Sequence, residues 1–309
     1  MMIRRLLRIK VLKEVFSCLN ANHCSPEAAG KALSKSIFKT YELYHHLLQL
    51  TVELRDYARL QLELGMQKQL ATHEERNPNT KLVDNALVAL VEANVPLKKF
   101  CEKHRLSWKS ADVTIKSLYQ AMLDSEMYRR YMASPTRSFA EDRAFLVQLV
   151  EQQLEDAEPL LSALEEQSML WIDDVEFALS QVSRTLKGFT PEQTPDTPLL
   201  PLYKDKGDED FAARLLRRAI TCSDEYRALV ERHAQNWDVE RIAFMDIVIM
   251  ITAIAELMEF REIPVKVSLN EYIEVAKYYS TPNSSTFING VLDKVVEELQ
   301  AKQLLGKEQ

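Results

Sequence analysis

The sequence predicts an all-α protein, and three observations carry that prediction. Its 309 residues include only 6 Gly and 11 Pro, too few for the many tight turns of a strand-built fold. Leu, Ala, Glu, Lys, Arg and Gln, all good helix formers, dominate nearly every window. Apolar residues recur at spacings of three and four rather than alternating. The length suits two domains, and the expected architecture is two helical bundles.

Residues 3–20 read as an amphipathic helix anchored by Leu6, Val11, Val15 and Leu19. Ser25-Pro26 marks the next start, with Pro at the first helical position. A long pattern then runs from about Ser36 to Ala71, with Leu43, Leu47, Leu50, Leu54 and Tyr57 on one face, and "NPNT" at 77–80 breaks it. Further helices are expected near 81–93, 96–105, 109–133, 138–156 and 168–187, separated in part by Ser134-Pro135 and Glu158-Pro159. The stretch 188–210 holds four prolines and two glycines and reads as a linker. Helices follow near 210–234, 238–260, 268–279 and 284–303. Ser268 and Glu271 have the spacing of a capping box at the third of these. The expected organisation is thus 1–187, a linker at 188–209, and 210–309.

Asn289-Gly290 is the one dipeptide that argues for a hairpin. Phe287, Val291 and Val295 recur around it at a spacing of four, which favours a helix. A helical glycine costs roughly 1 kcal/mol against alanine, so Gly290 is expected to mark a close approach of another backbone or a ligand. Asn289 can bridge helix ends or contact RNA.

Net charge is −7, so any nucleic-acid site must be local. The first helix is the clearest candidate: Arg4, Arg5, Arg8, Lys10 and Lys13 stand against one acid, Glu14. Arg4 and Arg8 share a face, and the planar guanidinium suits phosphate. Lys277, Asn283, Ser284 and Phe287 form a second candidate, offering a charge, polar contacts and a ring for stacking; core packing is the alternative for Phe287. Cys18, Cys24, Cys101 and Cys222 lack CxxC pairing and read as reduced thiols, which together with the lack of a signal-peptide pattern points to the cytoplasm. The apolar run 242–260 is interrupted by Asp246 and Glu256 and reads as a buried helix rather than a membrane span. His45-His46 with Glu42 lacks further ligands at metal-binding spacing and reads as surface histidine. With no glycine-rich phosphate loop, no catalytic residue, metal or cofactor is expected.

Several ordered pieces resemble one known family. They are "NWDVERIAFMDIVIMITAIAEL" (236–257), "IPVKVSLNEYIEVAKYYS" (263–280), "SSTFINGVLDKVV" (284–296), "RRLLRIKVLKEVFSCL" (4–19) and "DFAARLLRRAITCSDEYRALV" (210–230). Together they are similar to the transcription antitermination factor NusB family. Two departures stand out: about 190 residues separate the first helix from the later ones, and Ile251 stands where the family often has a basic residue.

The resemblance implies an RNA-binding transcription antitermination factor acting in ribosomal RNA transcription. It would bind single-stranded boxA-like RNA together with NusE, a small-subunit ribosomal protein, in the transcription elongation complex and away from any membrane. It implies that Arg4, Arg5 and Arg8 contact RNA, and that Phe16 and Asp246 contact the NusE partner. Asp246 also has a residue-level alternative, a partner within the fold, since an unpaired buried charge is costly. The NusB-like domain of some ribosomal RNA methyltransferases precedes a glycine-rich catalytic fold, for which the sequence gives no sign. The other functional class is a non-catalytic protein-interaction scaffold with reduced or lost RNA binding, dominated by the expansion at 20–187. A continuous basic stripe over Arg4, Arg5, Arg8 and Lys277 favours RNA; cations scattered and paired with acids favour the scaffold.

Overall fold

A buried acid near each end of one apolar helix organises the C-terminal part of the chain. A computed structural model describes residues 1–21, 24–234 and 243–305. Among them, fifteen α-helices form, with no β-ladder beyond a single bridge between Met2 and Tyr203. The chain divides into two compact units, Met1–Ile37 with Leu202–Gln309, and Phe38–Pro201. The second boundary falls inside the expected linker, but the first helix belongs with the C-terminal helices rather than with an N-terminal region ending at 187.

The first unit contains α1 (Arg4–Asn20), the opening turns of α2 (Pro26–Met66), and the five helices that follow residue 202. These are α11 (Lys206–Thr221), α12 (Ser223–His233), α13 (Phe244–Glu259), α14 (Val265–Tyr279) and α15 (Ser284–Ala301). The central element is α13: α1, α11, α12, α14 and α15 all pack against it. Its residues Val248 to Leu257 are buried without interruption, as expected for a helix apolar all round. Thr252 meets its hydroxyl requirement on the Val248 carbonyl. The start expected for this helix, residues 238–242, lies outside the described residues, as does Trp237 of the family-like stretch.

The expected capping box is absent. α14 begins at Val265, so Ser268 lies inside its first turns; its hydroxyl donates to Glu256 and Glu271 pairs with Arg5. Gly290 also departs from expectation. It lies on the exposed side of α15 with negative φ, and a Cβ built there meets nothing within 4 Å. No close approach requires it, and Asn289 donates to Asp293 one turn on, at 3.0 Å. Cys18 and Cys24 form a disulfide, with Cα atoms 5.2 Å apart, where reduced thiols are expected from the sequence; the chain after α1 brings them within bridging reach despite their spacing. Cys101 and Cys222 are free, and burial pushes the Cys101 thiol up to about 12.

The second unit is built on the rest of α2, followed by α3 (His73–Arg76), α4 (Ala86–Ala93), α5 (Val95–His104), α6 (Asp112–Asp124) and α7 (Glu126–Ala133). It continues with α8 (Phe139–Leu149), which runs into a π-helical turn (Val150–Leu154), then α9 (Glu158–Gln167) and α10 (Val175–Gly188). The helix expected over 109–133 is split. Ser125 ends α6 with extended backbone and caps α7 by accepting from the Tyr128 amide. The proline-rich stretch is pinned rather than free: Pro195 O accepts from the Val95 amide at 2.8 Å, Thr197 O from Asn94, and Leu200 O from Tyr41. A chain rich in prolines and short of free donors can still lie along a surface that supplies the donors.

His45 and His46 are buried, 2% and 0% exposed, correcting the surface reading. His46 lies parallel to Trp108 with ring centroids 4.1 Å apart, and His45 stacks on Phe100 at 3.7 Å. The Trp108 indole donates to the His46 carbonyl. Burial lowers both imidazoles to about 4, so both are neutral at pH 7. The unfolded chain binds their protons near pH 6.5 and the folded chain only near 4. The stability they permit is therefore complete above pH 6.5 and is lost as pH falls toward 4.

Two outcomes follow from this fold. Lowering pH from 7 to 5 should cost the second unit roughly 2 kcal/mol per histidine, seen as a fall in denaturant midpoint; replacing both with Phe should abolish most of that pH dependence, and an undiminished dependence would exclude these residues as its source. Gly290→Ala should raise stability by about 1 kcal/mol, the helix-propensity difference, seen as a higher denaturant midpoint; a lower one would restore the close-contact reading.

Candidate functional site

The basic start of α1 enters the helix without help from its own sequence. Ile3 is extended and supplies no side-chain cap, and the first turn contains no acid. Cations at a helix N-terminus oppose the macrodipole. Carboxylates from other helices meet them instead. Arg4 donates to Asp208 of α11 at 3.2 Å. Arg5 donates twice to Glu271 of α14, at 2.9 and 2.7 Å. These hydrogen bonds hold the Glu271 carboxyl below the usual range and raise Arg5.

Arg8 points inward. Its guanidinium is 4% exposed and donates two 2.7 Å bonds to Glu256, which is 0% exposed. Ser268 completes the set at 2.7 Å and Tyr272 at 3.0 Å, both donating to the same carboxylate. Arg4 and Arg8 share a face, as their spacing predicts, and both lie over the Phe211 ring, at 5.2 and 5.3 Å. The expectation of three exposed arginines is therefore corrected for Arg8, since the acid inside the apolar run needs a buried cation. Lys10 is buried too, and Lys13 sits over the Tyr279 ring. Arg4 and Arg5 remain 42% and 53% exposed. A groove of about 510 Å³ runs beside them, lined by Ile3, Arg5, Pro264, Val267 and Glu271.

At the other end of α13, Asp246 is 4% exposed. Its two oxygens accept from Ser280 at the end of α14 and from Ser284 at the start of α15, the latter at 2.8 Å. The residue-level alternative, a partner within the fold, thus holds for Asp246. Phe16 is half-buried against Phe244 in the first turn of α13, with centroids 5.2 Å apart. Phe16 and Asp246 are therefore grouped around the start of one helix. The second RNA candidate is divided: Ser284 and Phe287 are buried, Asn283 is exposed at the α15 N-cap without a side-chain cap bond, and Lys277 is exposed and paired with Glu274.

No continuous unpaired basic stripe joins Arg4, Arg5, Arg8 and Lys277; each has an acid beside it. Sequence reasoning missed the acids themselves. Glu256 carried the clearest signal, a charge inside an apolar run, whereas Asp208 and Glu271 look like ordinary helix-surface residues. Among the described residues, no group of three His, Cys, Asp or Glu side chains is placed to hold a metal, and no helix is long and apolar enough to cross a membrane.

The profile of the NusB family matches residues 166–297. That match begins in the second unit, ahead of the resemblance read at 210, and leaves out α1. Transcription antitermination protein NusB of Salinibacter ruber is 43% identical over 108 residues, covering 35% of this chain and 68% of the relative. The protein of the same name from Chloroherpeton thalassium is 35% identical over 127 residues, covering 41% of this chain and 56% of the relative. The one from Koribacter versatilis is 43% identical over 102 residues, covering 32% and 70%. No solved structure matches the chain. With two thirds of such relatives covered at this identity, and helices as the regular structure of the described residues in the matched region, the chain belongs to the NusB family.

Proposed function

We propose that the chain is a non-catalytic RNA-binding transcription antitermination factor that acts in ribosomal RNA transcription. It binds single-stranded boxA-like RNA together with NusE, within the elongation complex. Membership of the NusB family carries this proposal. Arg4 and Arg5 are the phosphate contacts, because their guanidinium groups reach solvent beside a groove. Arg8 acts through position: it fixes α1 on α13 so that the two outer arginines stand at the groove. Lys277 and Asn283 extend the contact from their exposed sites, while Ser284 and Phe287 shape the α15 start from within. Phe16 and the α13 start around Asp246 form the NusE-facing surface.

The ion pairs favour a second reading, the interaction scaffold. Asp208 and Glu271 occupy the same guanidinium donors that a phosphate would use; Asp208 is itself buried, and Glu271 holds Arg5 through two bonds. RNA must displace these carboxylates to reach both arginines, and a measurement decides between the readings.

Binding of boxA-like RNA by the purified chain, with and without NusE, is that measurement. Replacing Arg4 and Arg5 with Gln should weaken binding and flatten the slope of log affinity against log salt by about 1.4, near 0.7 per phosphate contact on a single strand. Unchanged affinity and slope would remove these arginines from the RNA site. No preference for boxA-like over scrambled RNA, even with NusE, would leave the scaffold.

A further inference from the structure

The second unit carries its own concentration of free cations at the end of α5. Leu97 and Cys101 face inward and are buried, while Lys98, Lys99 and Lys103 stand exposed. Arg105 then closes the helix in the left-handed region, φ 56°, with its amide on the Cys101 and Glu102 carbonyls and its side chain exposed. Lys109 and Lys116 follow, also exposed, against two exposed acids in the stretch, Glu102 and Asp112.

Among the described residues, none of these six cations has a carboxylate within salt-bridge distance. Lys98 and Lys109 act on Glu92 and Glu53 only through space. Of the other exposed cations of the same unit, Arg76, Arg129 and Arg184 likewise hold no carboxylate, but they lie apart in the sequence, whereas several others are paired. Arg59, Lys68, Arg130, Arg137 and Lys187 each hold an acid. The helix macrodipole welcomes a cation in the last turn, which accounts for Lys103. It does not account for the rest, and Lys99 and Lys103 repel each other at i, i+4. Folding alone gives no reason to gather this charge on a chain of net −7.

We propose that these exposed cations, on and just after α5, bind the backbone of single-stranded RNA, as a contact separate from α1. The proposal rests on the RNA-binding function above: a strand held by one unit is at high effective concentration for the other. The six cations are the phosphate partners. Trp108 is buried and Phe100 half-buried, so no ring is offered for stacking and the contact reads charge rather than sequence.

The test uses the full chain and a variant carrying Lys98→Gln, Lys99→Gln, Lys103→Gln and Arg105→Gln. The probes are a boxA-like oligonucleotide and the same oligonucleotide extended by a uridine tract. With an unchanged thermal midpoint, the variant should match the parent on the short RNA. On the extended RNA its slope of log affinity against log salt should be flatter by about 2 to 3. Equal slopes on the extended RNA, with short-RNA binding intact, would overturn this proposal and leave the proposed function standing. A parent chain that binds neither RNA would overturn both. If the variant loses binding to polyglutamate but keeps both RNA affinities, the cations serve acidic protein and the proposal is wrong.

Discussion

A buried carboxylate, Glu256, sets what the rest of the first unit must do. It lies in the last turn of the apolar helix α13 with no exposure, and an ion removed from water needs several hydrogen bonds to offset its lost hydration. α1 answers with Arg8, and α14 with Ser268 and Tyr272. Three helices are thereby fixed in register around one group. Asp246 does the same at the other end of α13, gathering serines from the end of α14 and the start of α15. Such groups confer more specificity than net stability, since well-packed apolar replacements are often neutral or better. Their value here is that they allow one packing of α1, α14 and α15 on α13 and disfavour slipped ones.

That constraint divides the basic start of α1 into two roles. The same helical spacing that turns Arg8 into the core leaves Arg4 beside Asp208 and Arg5 beside Glu271, at a helix end whose dipole opposes cations. The acids therefore serve the fold before any ligand arrives. They also cover the donors on which the RNA-binding proposal depends, so a ligand must exchange with them rather than occupy empty groups. At the start of α13, Phe16 meets Phe244, and the acid two residues on is turned into the fold; the ring is the more accessible part of that surface.

The fold class was legible in the sequence because helix periodicity is a local signal, and it survives in all five helices that follow residue 202. Boundaries failed where tertiary contacts override local chemistry. Ser268 looks like a cap until Glu256 claims its hydroxyl, and Gly290 looks like a packing device until its side of α15 proves open. His45 and His46 read as surface residues because pairing with Trp108 and Phe100 is non-local. For the candidate site, the three arginines and the family motifs were visible, but not which arginine turns inward. That depended on Glu256, nearly 250 positions away, whose charge inside an apolar run was the sign that a cation must be buried against it. The cations around α5 drew no attention because a charge run on a helix is usually a solvated face.

The claim on which this account rests is that Arg8 and Glu256 act as one unit in fixing α1 to α13. A double-mutant cycle in denaturant tests it most directly, with Arg8→Met, Glu256→Leu and the two combined. Each single change strands a buried charge and should lower stability by about 3–5 kcal/mol. The double variant should lose much less than the sum, with a coupling of up to about 3 kcal/mol. Additive losses, or singles that leave the midpoint unmoved, would show that α1 is held by its apolar face alone.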